Sequence, residues 1–99
     1  MKEVTIKELV KDLQGEVVRV ESADIYGVNF SFSKARIEYD EDNNELSFTS
    51  GRYDTPEGIG SVGIRIDDVV ESIMLNDDSS YTIEFNQYMA DINISKSDL

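Results

Sequence analysis

The chain has 99 residues, 39% of them hydrophobic, and a formal net charge of −12, which suits one domain with one core. It has no Cys and no His, which excludes disulfide frameworks, thiol nucleophiles, zinc sites of the usual ligands and histidine-based acid–base catalysis. No apolar run approaches the roughly 20 residues of a membrane span, and no signal-peptide layout opens the chain. We expect a single soluble intracellular domain over residues 1–99, without cofactor or metal.

The first predicted element is a helix over residues 6–14. Thr5 and Glu8 have the spacing of a capping box, in which the threonine hydroxyl and the glutamate carboxylate each accept a hydrogen bond from the other residue's backbone N–H. Gly15 follows as a residue that tolerates the left-handed conformation at a helix end. The helix is too short to be stable alone, so its apolar stripe must pack on something else. That stripe consists of Ile6, Leu9, Val10 and Leu13.

Short strands are predicted over the rest of the chain, within residues 16–95. Apolar and polar residues alternate in several runs, as expected for half-buried strands. The turn-rich segment 40–44 predicts a hairpin, and residues 50–60, with the only proline, predict a mobile loop. A second hairpin is expected near the C-terminus. The runs are 16–21, 28–33, 36–39, 46–49, 64–75 with an interruption at Asp67 and Asp68, 81–85 and 90–94. For residues 67–73 the alternative is one helical turn capped by Asp67.

These elements predict an α+β fold, with one short helix packed on a twisted antiparallel sheet of six to eight short strands. Every connection is too short for a helical crossover, which parallel neighbours would require. A short helix that leads directly into a strand is similar to the element order of Sm-like and SH3-like barrels. The resemblance implies that the sheet could close into a small barrel.

The acidic residues are concentrated in the second part of the chain. Residues 1–37 contain as many acidic as basic residues, so residues 38–99 carry the whole charge of −12. A field of this size repels nucleic acids and anionic membranes, and it accelerates encounter with basic proteins. We therefore expect a basic protein surface as the partner, with no direct nucleic-acid binding. If the charge serves docking, the carboxylates should form a contiguous surface.

Acidic and aromatic residues supply the candidate sites. The segment 40–45 resembles the start of a calcium loop, but Glu45 and Gly51 stand where that loop needs Gly and Glu, which favours a solvated hairpin tip. Asp67, Asp68 and Glu71 form a carboxylate cluster, but neither a second set of metal ligands nor an aromatic residue that would bind a substrate accompanies it. The cluster therefore does not indicate an enzyme. Tyr53 is a candidate hot-spot residue, while Tyr39 and Tyr81 fall on core positions. The candidate partner-binding residues are Asp40, Glu41, Asp42, Tyr53, Asp67, Asp68, Glu71, Asp77 and Asp78.

The chain also resembles the small acidic anti-CRISPR proteins of phages and mobile elements. The resemblance rests on its length, its negative charge, the helix Val-Thr-Ile-Lys-Glu-Leu-Val-Lys-Asp-Leu before a small sheet, and its acidic turns. It implies a monomer or dimer in the bacterial cytoplasm that inhibits a CRISPR effector nuclease as a DNA mimic. Two alternatives remain open at this point: an antitoxin or immunity protein for a basic toxin, and a small phage structural or assembly subunit.

Overall fold

The computed structural model describes residues 1–22, 31–50, 60–66, 70–85 and 91–97 of the chain. Within these ranges there are one helix, α1 (Ile6–Leu13), and eight strands. The predicted α+β class, with one short helix and an antiparallel sheet of six to eight strands, is confirmed. The strands are β1 (Lys2–Glu3), β2 (Val18–Ser22), β3 (Ser31–Asp40), β4 (Glu45–Ser50), β5 (Gly60–Arg65), β6 (Val70–Leu75), β7 (Tyr81–Phe85) and β8 (Ile92–Lys96).

Helix α1 begins with the predicted capping box. The Thr5 hydroxyl oxygen accepts a hydrogen bond from the Glu8 backbone N–H at 3.2 Å, and the Glu8 carboxylate accepts one from the Thr5 N–H at 3.3 Å. The helix ends at Leu13, one residue earlier than expected, because Gln14 takes an extended conformation. Leu9 and Leu13 are buried, so the predicted stripe packs on the sheet. No helix in the described ranges is long and apolar enough to cross a membrane.

Gly15 follows the helix with a φ of +84°, in the left-handed region that the sequence predicts. Gly15→Ala is expected to lower the free energy of unfolding by about 1 kcal/mol, because a Cβ disfavours this backbone conformation. The added methyl group would meet no atom within 4 Å, so the cost is one of conformation alone. Urea denaturation measures it. The exposed neighbour Glu16, changed to Ala, is the control, and an equal loss in both variants would contradict the prediction.

The strands form one antiparallel sheet in the order β1-β6-β7-β8-β2-β3-β4-β5. Two meanders, β2 to β5 and β6 to β8, are joined where β2 pairs with β8, with Val20 opposite Ile94. The sheet was expected to start at residue 16, but Lys2 and Glu3 pair with the end of β6 and add an edge strand. The C-terminal hairpin is confirmed by the pairing of Ile83 with Ile92.

The sheet must curl strongly. Six antiparallel pairings separate β5 from β6. In a flat sheet they would lie about 29 Å apart, at roughly 4.8 Å per strand. The chain between Arg65 and Val70 spans at most about 18 Å, so the two ends of the sheet approach each other. Among the described strands β1 and β5 do not pair, and closure into a small barrel stays a prediction.

A β-bulge corrects the expected division of the first meander. The alternation predicts two runs, 28–33 and 36–39, whereas the structure has one continuous strand from Ser31 to Asp40. Val18 pairs with Ala35 and Val20 with Phe32, so two residues of β3 stand opposite Arg19. The extra residue changes the phase of the alternation along β3. The alternation of apolar and polar residues is therefore interrupted at the bulge, although the strand continues. Residues 23–30 lie outside the described part.

The core lies between α1 and the sheet and is apolar. Phe48, Leu46, Ile83 and Ile92 are fully buried, and Tyr39 packs against them half-exposed. Tyr81 is 4% exposed, so the core positions expected for both tyrosines are confirmed. No polar or charged residue is buried among the residues for which burial is described. Every described carboxylate is therefore at the surface, where it can meet a partner.

Candidate functional site

The candidate carboxylates fall on two hairpin turns and one undescribed region. Asp40, Glu41 and Asp42 lie at the turn between β3 and β4, and Asp77 and Asp78 lie at the turn between β6 and β7. All five are exposed. Four further candidates cannot be placed: Tyr53, Asp67 and Asp68 lie outside the described residues, and Glu71 belongs to β6 but its side chain is not described.

The two turns are separate in the sheet, because β8 and β2 lie between the two hairpins. The N-terminal segment contacts both turns. The terminal ammonium group pairs with Asp77, and Lys7 Nζ lies 3.2 Å from Glu41 Oε1. In the folded protein, positive charges of the N-terminal segment therefore partly neutralise the two acidic turns. The described candidates form two acidic turns rather than the contiguous surface that the sequence led us to expect.

The β3–β4 turn is the richer of the two in carboxylates. Asp40 pairs directly with Glu45 across the hairpin. Glu38 lies two residues before Asp40 and therefore on the same face of β3. All are exposed, and the five acidic residues of this hairpin are called the acidic hairpin end: Glu38, Asp40, Glu41, Asp42 and Glu45.

Asp40 holds this turn together. Its Oδ1 accepts hydrogen bonds from the backbone N–H groups of Asp42 at 3.1 Å and Asn43 at 3.3 Å, and its Oδ2 accepts one from Asn43 Nδ2 at 2.7 Å. The Asn43 side-chain hydrogen bond is the main cause that lowers the pKa of Asp40 below its usual value. Asp40 therefore has a structural role, and its oxygens are already engaged within the turn.

Further hydrogen bonds tie the turn to its surroundings. The Tyr39 hydroxyl donates to Asn44 Oδ1 at 3.1 Å, and the Ile66 backbone N–H donates to the Asn44 carbonyl at 2.7 Å. Asn44 itself has a φ of +51°, which asparagine tolerates better than most residues. The acidic hairpin end is thus held in one conformation by its own backbone and by the chain just after β5.

Three carboxylates of the acidic hairpin end have no partner among the described residues. No hydrogen bond or ion pair within that part of the chain involves the side-chain oxygens of Glu38, Asp42 or Glu45. Arg65 stands opposite Glu45 on β5. Glu38 and Glu45 are not among the site residues predicted from the sequence. The alternation along residues 36–39 and the hairpin register would have found them, because both place these side chains beside Asp40.

The β6–β7 turn has fewer carboxylates that a partner could bind. Asp78 Oδ1 accepts hydrogen bonds from the Ser80 hydroxyl at 2.6 Å and the Ser80 N–H at 3.0 Å, and these bonds lower the pKa of Asp78. Ser79 completes the turn with a φ of +72°. Asp78 is therefore a turn-forming residue like Asp40. Only Asp77 points its charge away from the turn, and the N-terminal ammonium group lies against it.

The predicted calcium-like segment is a four-residue hairpin turn, as the solvated-tip interpretation expects. Among the described residues, no three carboxylate-bearing side chains are grouped closely enough to hold a metal ion.

Nothing matches the chain among protein family models, curated proteins or solved structures.

Proposed function

We propose that this protein is a non-enzymatic binding protein that docks its acidic hairpin end on the basic, nucleic-acid-binding surface of a partner and thereby inhibits it. The observation that carries the proposal is the rigid group of five exposed carboxylates at the end of one hairpin. The partner class we propose is a CRISPR effector nuclease, in keeping with the sequence resemblance, and the inhibitor acts as a monomer or dimer in the bacterial cytoplasm.

The spacing of the carboxylates suits surfaces that bind phosphates. Residues two apart on one strand, such as Glu38 and Asp40, lie about 6–7 Å apart on one face. Glu45, directly opposite Asp40, adds a second row about 5 Å away. A protein that binds nucleic acid spaces its Lys and Arg residues to meet successive phosphates. The same cations can meet these carboxylates, and the inhibitor offers no bond for the nuclease to cleave.

Rigidity and long-range charge both favour such docking. The hydrogen bonds of Asp40 and Asn44 hold the turn before the partner arrives, so less conformational entropy is lost on binding. The net charge of −12 attracts a basic surface from about a Debye length, roughly 8 Å at physiological salt. Association should therefore be fast at low salt and slow down steeply as salt rises.

The test is competition with DNA. A guide-loaded CRISPR effector nuclease binds a fluorescent target duplex, and displacement of the duplex by the protein is followed by anisotropy. The hairpin variant carries Glu38→Gln, Asp42→Asn and Glu45→Gln, and keeps Asp40 because that residue holds the turn. We expect at least a tenfold rise in the concentration needed for half displacement, since three charge contacts are lost.

The control variant removes three exposed charges elsewhere, through Glu3→Gln, Glu16→Gln and Asp91→Asn. It has the same net charge as the hairpin variant, so it should lose only the general attraction, about threefold or less. Equal weakening in both variants would assign the effect to total charge and refute the docking site.

No displacement by the wild-type protein refutes the nuclease as partner. Binding to a basic toxin instead of the nuclease would support an immunity protein. A stable hexamer or larger oligomer in solution would support an assembly subunit.

A further inference from the structure

The surface along strands β8, β2 and β3 carries a groove of about 400 Å³ lined by basic and hydroxyl side chains. It lies where β8, β2 and β3 run side by side, with Arg19 opposite Ser95. The β-bulge places both Ser33 and Lys34 opposite Arg19, which widens the polar part of the groove. We call it the cationic groove; its described lining residues are Arg19, Ser33, Lys34, Ser95, Lys96 and Ser97.

The composition of this groove departs from that of the protein. The chain has nine basic and 21 acidic residues, yet three basic residues and no acidic residue appear among the described lining residues. Arg19 uses one nitrogen on Glu21, at 2.6 Å, and Lys96 lies 3.3 Å from Asp12 on the helix. Lys34 has no ion-pair partner among the described side chains and is half-buried. An ammonium group without an ion-pair partner favours an anion beside it.

A second groove, of about 440 Å³, adjoins the first and shares Arg19 and Ser95 with it. This groove also has hydrogen-bond acceptors, because the carboxylates of Glu21 and Asp78 and the side-chain amide of Asn93 line it. The Asn93 side-chain oxygen accepts a hydrogen bond from Thr82, and its amide N–H groups have no partner within the described part of the chain. The pair of grooves thus offers cations at one end and acceptors at the other.

We propose that the two grooves together bind a small phosphate monoester with a polyhydroxylated body, of the sugar-phosphate class. The phosphate would lie in the cationic groove, where the guanidinium group of Arg19, the ammonium group of Lys34 and the serine hydroxyl groups all donate hydrogen bonds. The hydroxyl groups of the body would donate to Glu21 and Asp78 in the adjoining groove. Each groove has the volume of a small-molecule site.

A monoester fits better than a nucleic acid. A monoester phosphate carries about 1.5 to 2 negative charges at pH 7, more than one phosphodiester unit. A polyanion would also approach a molecule of net charge −12 against its whole field. This inference is independent of the proposed inhibitor function, because it uses a different surface and different residues.

The test is a titration of isotope-labelled protein followed by amide chemical shifts. Ribose 5-phosphate should give saturable shifts centred on residues 19, 33–34 and 95–97, with an affinity at least fivefold higher than that of inorganic phosphate. Ribose without phosphate should not bind. Lys34→Gln should weaken ribose 5-phosphate binding at least tenfold, whereas Lys2→Gln, which removes the same charge from the edge strand β1, should leave it within twofold.

Three results would overturn the inference. Shifts that do not saturate and that spread over all basic residues would show general ion pairing only. Equal affinity for ribose 5-phosphate and inorganic phosphate would remove the role of the adjoining groove. Tighter binding of a thymidine octanucleotide than of ribose 5-phosphate would assign the groove to nucleic acid. An amide spectrum of the Lys34→Gln variant that matches the wild type without ligand confirms that any lost binding is not lost folding.

Discussion

Phe48→Ala is expected to lower the free energy of unfolding by about 4 kcal/mol. Phe48 has no exposed surface and lies in the middle of β4, paired with Ile37 on one side and Val62 on the other. Loss of a buried aromatic ring removes its transfer free energy and leaves a cavity that the neighbouring strands cannot fill. A chain of this size has about 5–15 kcal/mol of stability in total, so the loss is a large fraction of it.

Urea denaturation followed by circular dichroism measures this loss, and Phe48→Leu is the matched variant. Leu keeps most of the buried volume, so it should cost about 1–2 kcal/mol. Nearly equal losses in the two variants would show that the cavity is not the cause. A loss below about 1.5 kcal/mol for Phe48→Ala would contradict the central position of this ring in the core.

The second large effect is expected at alkaline pH and depends on Tyr81. Its hydroxyl donates a hydrogen bond to Asp12 Oδ2 at 2.8 Å, which ties β7 to the helix, and Lys96 approaches the other oxygen of Asp12 at 3.3 Å. Burial of the ring, with added contributions from the hydrogen bond and the charges of Asp12 and Glu8, raises the pKa of Tyr81 to about 12. The usual tyrosine pKa is about 10.

Stability should therefore fall between about pH 10 and pH 12. The folded protein keeps the phenolic proton in this window while the unfolded chain releases it, so rising pH favours the unfolded state. The contribution of Tyr81 is fully present below pH 10 and is lost as the pH passes 12. A shift of two pKa units is worth at most about 2.7 kcal/mol.

Comparison with Tyr81→Phe isolates this contribution, because every other titratable group is the same in both proteins. The free energy of unfolding of each protein is measured by urea denaturation at pH 8, 10 and 11.5. The wild type should lose more stability than Tyr81→Phe over this range. Parallel losses in the two proteins would mean that the pKa of Tyr81 is not raised by folding.

The helix and the central hairpin could be predicted because their signals are local. The capping box of Thr5 and Glu8 and the turn residues Asp40 to Asn44 act within a few residues of each other, and both elements are where the sequence places them. The limits of β3 could not be predicted, because the bulge opposite Arg19 depends on pairing with β2. The edge strand β1 has only two residues and therefore no readable alternation.

The candidate site was predicted in part. Turn composition located Asp40 to Asp42 and Asp77 to Asp78, but not the fact that Asp40 and Asp78 accept hydrogen bonds from their own turns. The segments Asp-Glu-Asp-Asn and Asp-Ser-Ser are typical of such turns and would have indicated it. The cationic groove could not be predicted, because Arg19, Lys34 and Lys96 come from three strands that meet only in the folded sheet.

The pairing of β2 with β8 has a consequence for synthesis of the protein. Until Lys96 has left the ribosome, one side of β2 offers unpaired N–H and C=O groups to any other extended chain. A nascent chain stalled before that residue exposes a strand edge on which copies can aggregate. Rapid translation of the final segment, or a chaperone that covers β2 until then, would raise the yield of soluble protein.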